Sequence, residues 1–137
     1  MILKNRIAIV TGAGSGIGRG GAEIMAREGA KVIVADLSPE RTEETVEIIT
    51  KAGGSAEARP TDVTDNDALH RLIADTHSKY GRIDILHSHA GIQVEGNLEE
   101  VTVDGLDKSY GLNVRPHFVA ARAVVPHMKA LGGGSIV

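Results

Sequence analysis

The stretch Thr11-Gly12-Ala13-Gly14-Ser15-Gly16-Ile17-Gly18 constrains this 137-residue chain more than any other. It follows the apolar run Ile7–Val10 and opens a helical pattern from Ile17 to Glu28, with Gly29 in the place of a helix C′ glycine. Glycine at a strand-to-helix turn has physical causes: the chain must turn sharply, its backbone must approach a pyrophosphate, and the helix must pack close to the sheet. The helix N-terminus then offers free N–H groups and the positive end of its dipole to phosphates. The register that fits the strand end is Thr-Gly-x-x-x-Gly-x-Gly. A literal Gly-x-Gly-x-x-Gly string at Gly16, Gly18 and Gly21 starts too late to sit at the turn. Gly20 and Gly21 lie within the helical stretch, where each costs roughly 1 kcal/mol against Ala. Close packing accounts for at most one of them.

Further apolar runs follow at Val32–Ala35, Ala56–Arg59 (stopped by Pro60), Ile83–Leu86 and Ser135–Val137. Short runs buried on both sides read as parallel strands. Between them lie helical patterns. Ser38-Pro39 supplies an N-cap type followed by proline at N1, with Thr42, Val46 and Ile49 on one face and Gly53 at the end. Thr64, with Asp67 three residues on, predicts the start of the next helix. Its Leu69, Leu72, Ile73 and Thr76 keep helical spacing up to Gly81. Two more helical stretches run from about Thr102 to Leu131, with a break expected at Pro116. The alternation predicts an α/β, Rossmann-type doubly wound parallel sheet of five strands in the order 3-2-1-4-5, as a single domain over 1–137. Only Tyr80, Tyr110 and Phe118 are aromatic, so Ala, Val, Ile and Leu must build the core.

Asp36 closes the second run, 18 residues after Gly18. A carboxylate there accepts hydrogen bonds from the two hydroxyls of an adenosine ribose and repels a 2′-phosphate. Leu37 and Ser38 follow, so no basic neighbour waits for that phosphate, and the pattern favours NAD over NADP. The plainer alternative is a solvated loop aspartate or a helix cap.

Other function classes are disfavoured. Lys+Arg 15 against Asp+Glu 18 gives a net charge of −3 with no basic run, a poor basis for nucleic-acid binding. Without cysteine there is no disulfide framework, thiolate zinc site or cysteine nucleophile, and a cytoplasmic location fits. No apolar run reaches membrane-spanning length, and MILKNRIAIV lacks the form of a signal peptide. His87 and His89 are placed to point the same way on a strand, but a zinc site needs a third protein ligand and the spacing supplies none. His70, His77, His117 and His127 read as surface or satisfied histidines, so no metal site is expected. The acidic EGNLEE segment, Glu95–Glu100, reads as a solvated loop.

These residues resemble the short-chain dehydrogenase/reductase family from about residue 4 onward. Thr11, Gly12, Gly16 and Gly18 match its glycine motif, and Asp36 its ribose-binding acid. Asp62-Val63 match its adenine-contacting pair, and Asn113 in Leu112-Asn113-Val114 its catalytic asparagine. Ser88-His89-Ala90-Gly91 stand where the family has Asn-Asn-Ala-Gly, with two substitutions. The resemblance implies cofactor contacts from Thr11, Gly12, Ser15, Gly16, Ile17, Gly18, Asp36, Leu37, Asp62, Val63, His89, Ala90 and Gly91. It implies hydride transfer between a nicotinamide cofactor and a small-molecule alcohol or carbonyl substrate, with Asn113 ordering a water in the proton relay, in a homo-oligomeric parent.

The family's catalytic serine and Tyr-x-x-x-Lys lie beyond the fifth strand, where this sequence ends at Val137. Tyr80 and Tyr110 do not replace them, because Asp84 and Val114 stand four residues on. The sequence therefore reads as an N-terminal fragment, inactive alone. Its fifth strand is expected to be an unpaired edge, with Val119, Ala120 and Val124 short of neighbours, and the isolated fragment marginal or self-associating. The rival readings are a non-catalytic nucleotide-binding module and an NADP-dependent 3-oxoacyl reductase.

Overall fold

The computed structural model describes residues 1–137. The elements alternate as β1 (Ile7–Thr11), α1 (Gly16–Arg27), β2 (Lys31–Asp36), α2 (Pro39–Lys51), β3 (Ser55–Pro60), α3 (Asn66–Tyr80) and β4 (Ile85–Ser88). Then come α4 (Val103–Asn113), α5 (Arg115–Ala130) and β5 (Ser135–Ile136). The five strands form one sheet in the order β3-β2-β1-β4-β5, all pairs parallel. Every residue of β1 is buried, as a strand covered by helices on both faces must be.

Strand alternation divides the core into two layers. Ala8, Val10, Val32, Val34 and Ile85 face α1 and α2, meeting Ala22, Ala26 and Ile49. Ile7, Ile9, Ile33 and Leu86 face the other way, onto Leu69, Leu72 and Ile73 of α3 and Ala120, Val124 and Met128 of α5. Ala120 and Val124 are therefore fully buried, contrary to the expectation that they lose neighbours: α3 covers them. Pro60 ends an edge strand, where its missing N–H leaves no ladder bond unmade.

The boundaries shift where apolarity and pairing part company. Ile83 and Asp84 are buried but precede β4, which runs to Ser88. The cap of α3 is Asp65, not Thr64: its carboxylate accepts from the Asp67 and Ala68 amides, whereas the Thr64 hydroxyl bonds Asp62. The helical break falls at Val114 rather than Pro116, because Pro116 sits in the first turn of α5, where proline needs no donor. On α2 the fully buried residues are Thr42, Thr45 and Ile49, with Val46 half-buried.

Two polar features tie the sheet's lower end and its α3–α5 layer. Asp84, 6% exposed at the side chain, accepts from Arg6 (2.8 Å), Arg82 (2.6 and 2.9 Å) and the Ile7 amide (2.9 Å), joining the starts of β1 and β4. Burial pushes its carboxyl up, but the bonds from Arg82, Ile7 and Arg6 more than reverse this and hold it at about 2. On the far layer, the rings of His77 and His127 stack with centroids 4.0 Å apart. β5 pairs inward, with the Val137 amide on the Leu86 carbonyl at 2.9 Å, and leaves Ile136 and Val137 exposed along its outer edge.

Candidate functional site

The upper ends of β1, β2 and β4 surround a cleft of about 740 Å³, at the point where the strand order reverses on either side of β1. Crevices beyond the carboxyl ends of strands, at such reversals, are where open α/β sheets bind ligands. A second cavity of about 490 Å³, between Leu3, Arg6, Asp84 and Gly132–Ser135, lies at the opposite end, beside the starts of the strands.

The glycine turn forms the cleft floor. Gly12 and Gly16 adopt φ of +66° and +54°, a region closed to most L-residues. A Cβ on Gly12 would stand 2.9 Å from the Ala90 Cα, and a Cβ on Gly18 would run into the Gly12 carbonyl. Around Gly16 nothing lies within 4 Å of such a Cβ, so bare backbone faces the opening. Ser15, the N-cap of α1, makes no side-chain capping bond, which leaves first-turn amides available to an anion. Arg19 braces the turn from behind: it donates to the Gly14 carbonyl (2.5 Å) and to Thr45 (3.0 Å), and Thr45 in turn donates to the Ala13 carbonyl (3.0 Å).

Asp36 stands at the rim. Its two carboxylate oxygens accept from the Gly14 amide (3.0 Å) and the Ser38 amide (3.1 Å), which fixes its direction and leaves further lone pairs open. Asp62 accepts from the Thr64 amide and hydroxyl, and Val63 reaches back into the core.

The opposite wall is the segment after β4. The Ala90 amide donates to Thr11 Oγ1 (3.2 Å). Asn113 clasps Ile92 on both sides: its Oδ1 accepts from the Ile92 amide (2.8 Å) and its Nδ2 donates to the Ile92 carbonyl (2.8 Å) and to Ser109 (3.1 Å). That side chain is committed to holding the wall. Ser88 points to the other face of the sheet and shares a 2.7 Å hydrogen bond with His117. His87 packs under α1, where a Cβ on Gly21 would meet its ring at 3.2 Å; this explains Gly21, while nothing lies near Gly20. Burial, and next His89 at a ring distance of 5.3 Å, lower the His87 pKa, and its Nδ1 has no partner. His87 and His89 gather no third ligand.

Gly12, Ser15, Gly16, Ile17, Asp36, Leu37, Asp62, Val63, His89, Ala90 and Gly91 thus line one cleft. Thr11, Gly18 and Asn113 lie behind its surface and shape it. Sequence reasoning missed Thr61, Ile92, Lys108, Leu112 and Arg41, which also line it. Lys108 and Leu112 carry a signal, an i, i+4 pair on α4. Arg41 overturns the expectation that no basic side chain attends Asp36: the first turn of α2 carries it back to the rim.

A family model described as short chain dehydrogenase matches residues 6–137. An uncharacterized oxidoreductase of Thermotoga maritima is 41% identical over 137 residues, covering all of this chain and 54% of the relative. Trihydroxynaphthalene reductase of Colletotrichum orbiculare is 36% identical over 136 residues, covering 98% of this chain and 48% of the relative. The solved structure of a 7α-hydroxysteroid dehydrogenase complexed with NADH and 7-oxo glycochenodeoxycholic acid superposes with a TM-score of 0.93 at 35% identity, covering 98% of this chain and 52% of that one. The chain spans about half the length of the curated relatives it matches.

Proposed function

The chain belongs to the short-chain dehydrogenase family, and on that premise we propose that its cleft holds the adenosine and pyrophosphate of a nicotinamide dinucleotide, NAD in preference to NADP. The glycine turn fits the group: added side chains at Gly12 and Gly18 would collide with Ala90 and with the Gly12 carbonyl and force the turn apart, while bare backbone at Gly16 faces the opening. The first-turn amides of α1 receive the pyrophosphate, Asp36 the adenosine ribose, Asp62-Val63 the adenine, and His89–Gly91 the second ribose. Thr11 and Asn113 hold the wall that carries Ala90 and Ile92. The chemistry that a bound dinucleotide would supply is hydride transfer, and the activity of the whole protein is the interconversion of an alcohol and its carbonyl.

In this reading residues 1–137 form the cofactor-binding domain and hold one member of the proton relay, Asn113, so they do not turn over alone. The parent is a cytoplasmic homo-oligomer. No helix here is long and apolar enough to cross a membrane.

The observation that carries the cofactor choice is Asp36, its carboxylate aimed at the rim by two backbone donors. Titration calorimetry of the protein with each cofactor tests it. NAD binds at least about tenfold more tightly, the effect of roughly 1.4 kcal/mol, and Asp36→Ala narrows the gap. Equal or tighter binding of NADP refutes the assignment.

A further inference from the structure

Arg41 has no role in the reading above, yet it occupies a telling place. It is the third residue of α2, and it faces Asp36 across Gly14: a Cβ built on Gly14 would lie 2.7 Å from both the Arg41 Cβ and the Asp36 Cγ. Its side chain is exposed and lines the cleft. Its backbone amide caps onto the Ser38 hydroxyl, but its guanidinium enters no hydrogen bond or ion pair.

None of the nearby acids pairs with it, and each has other donors. Glu44, one turn along α2, is bound by Arg19 at 2.7 Å. Glu40 accepts from the Ser38 hydroxyl at 3.0 Å. Both oxygens of Asp36 take backbone amides. An uncommitted guanidinium therefore stands at the N-terminal turn of a helix, beside the carboxylate assigned to the adenosine ribose. A guanidinium meets phosphate with a planar fork of donors, and the helix terminus adds to its attraction for an anion.

We propose that Arg41 is a second specificity-determining residue, a latent receiver for a ribose 2′-phosphate that Asp36 holds off. The proposal rests on the reading of this cleft as an adenine-dinucleotide site. Selectivity at the rim is then a difference between one attraction and one repulsion, set by neighbouring side chains. Removing the repulsion alone raises the affinity for a phosphorylated ribose relative to a plain one, because a cation already lines the same rim.

The test compares 2′,5′-ADP with 5′-AMP by titration calorimetry, since the two differ at the 2′-position and neither requires turnover. The native protein, Asp36→Asn, Arg41→Ala and the double variant are measured, and NAD is titrated into the native protein as a reference. Asn keeps an acceptor for the Gly14 or Ser38 amide while removing the charge. The affinity ratio of 2′,5′-ADP to 5′-AMP rises at least about tenfold in Asp36→Asn and returns to its native value in the double variant, an effect of at least the size of one charge-assisted hydrogen bond. A ratio that stays raised without Arg41, or that never rises in folded Asp36→Asn, overturns the proposal and leaves the cofactor reading standing. Should Asp36→Asn fail to fold, Arg41→Ala alone decides: it lowers the native ratio, and an unchanged ratio overturns the proposal. If the native protein binds neither NAD nor either adenine nucleotide, the reading of the cleft fails first and the proposal falls with it.

Discussion

Replacing Asp84 by Asn removes a buried charge while keeping the side chain's shape. The carboxylate accepts from two arginines and one backbone amide, and it is held at about 2 against an ordinary value of 3.8. A difference of about 1.8 in pKa corresponds to about 2 kcal/mol of stability in favour of the ionised form. The arginine side chains are 52% and 37% exposed, so solvent screens part of each pair and about 2 kcal/mol is the ceiling. A group whose folded pKa is depressed contributes fully above its unfolded pKa and loses that contribution as pH falls through the folded one. The native protein should therefore exceed Asp84→Asn by up to about 2 kcal/mol at neutral pH. Roughly a third of the gap should survive at about pH 2.5. Urea unfolding followed by circular dichroism at both pH values reads the difference directly. A gap below about 0.5 kcal/mol at neutral pH, or one that does not close in acid, would refute the view that the charge of Asp84 ties β1 to β4.

Gly18→Ala drives a Cβ into the Gly12 carbonyl; a loss of about 1–3 kcal/mol in a denaturant melt, with loss of nucleotide binding, is expected. Asn113→Ala frees both backbone groups of Ile92 and should cost about 2 kcal/mol, with faster hydrogen exchange around Ile92 and unchanged exchange in β2. Burial, with next the neighbouring imidazole, lowers the pKa of His87 and of His127. A histidine depressed in the folded state takes up more protons when unfolded, so stability should fall as pH drops below about 6.5. Substituting His127 by Phe should flatten that slope in a pH series of thermal melts; an unaltered slope would show that the stacked pair does not contribute.

The architecture was legible because β1 and β2 are apolar on both faces over most of their length, and few patterns other than a doubly covered parallel strand have that property. Ile7–Val10 and Val32–Ala35 lie inside strands as observed. Boundaries were less legible where one property stood in for another. Ile83 is fully buried without belonging to β4, since burial records packing and not pairing. Thr64 and Asp65 are both good cap residues, and only the path of the backbone chooses between them. In the cleft, glycine spacing located the floor because a missing side chain leaves a trace in sequence. Arg41 left none: its nearness to Asp36 follows from the turn that starts α2, which reverses the chain over five residues. Gly21 became intelligible only once His87 was found beneath it.

The bracing of Arg19 has a mechanical consequence. Because one guanidinium grips the Gly14 carbonyl and Thr45 together, and Thr45 grips the Ala13 carbonyl, the glycine turn and α2 form a single jaw. The rim at Asp36 cannot swing without carrying the floor with it. The other jaw, from His89 to Ile92, hangs from the Thr11 hydroxyl and the Asn113 amide, and beyond it residues 93–98 are exposed or half-buried chain without regular structure. The two sides of the cleft are thus held in different ways: one is cross-tied to a whole helix, and the other keeps its place through the Thr11 hydroxyl and the clasp between Asn113 and Ile92.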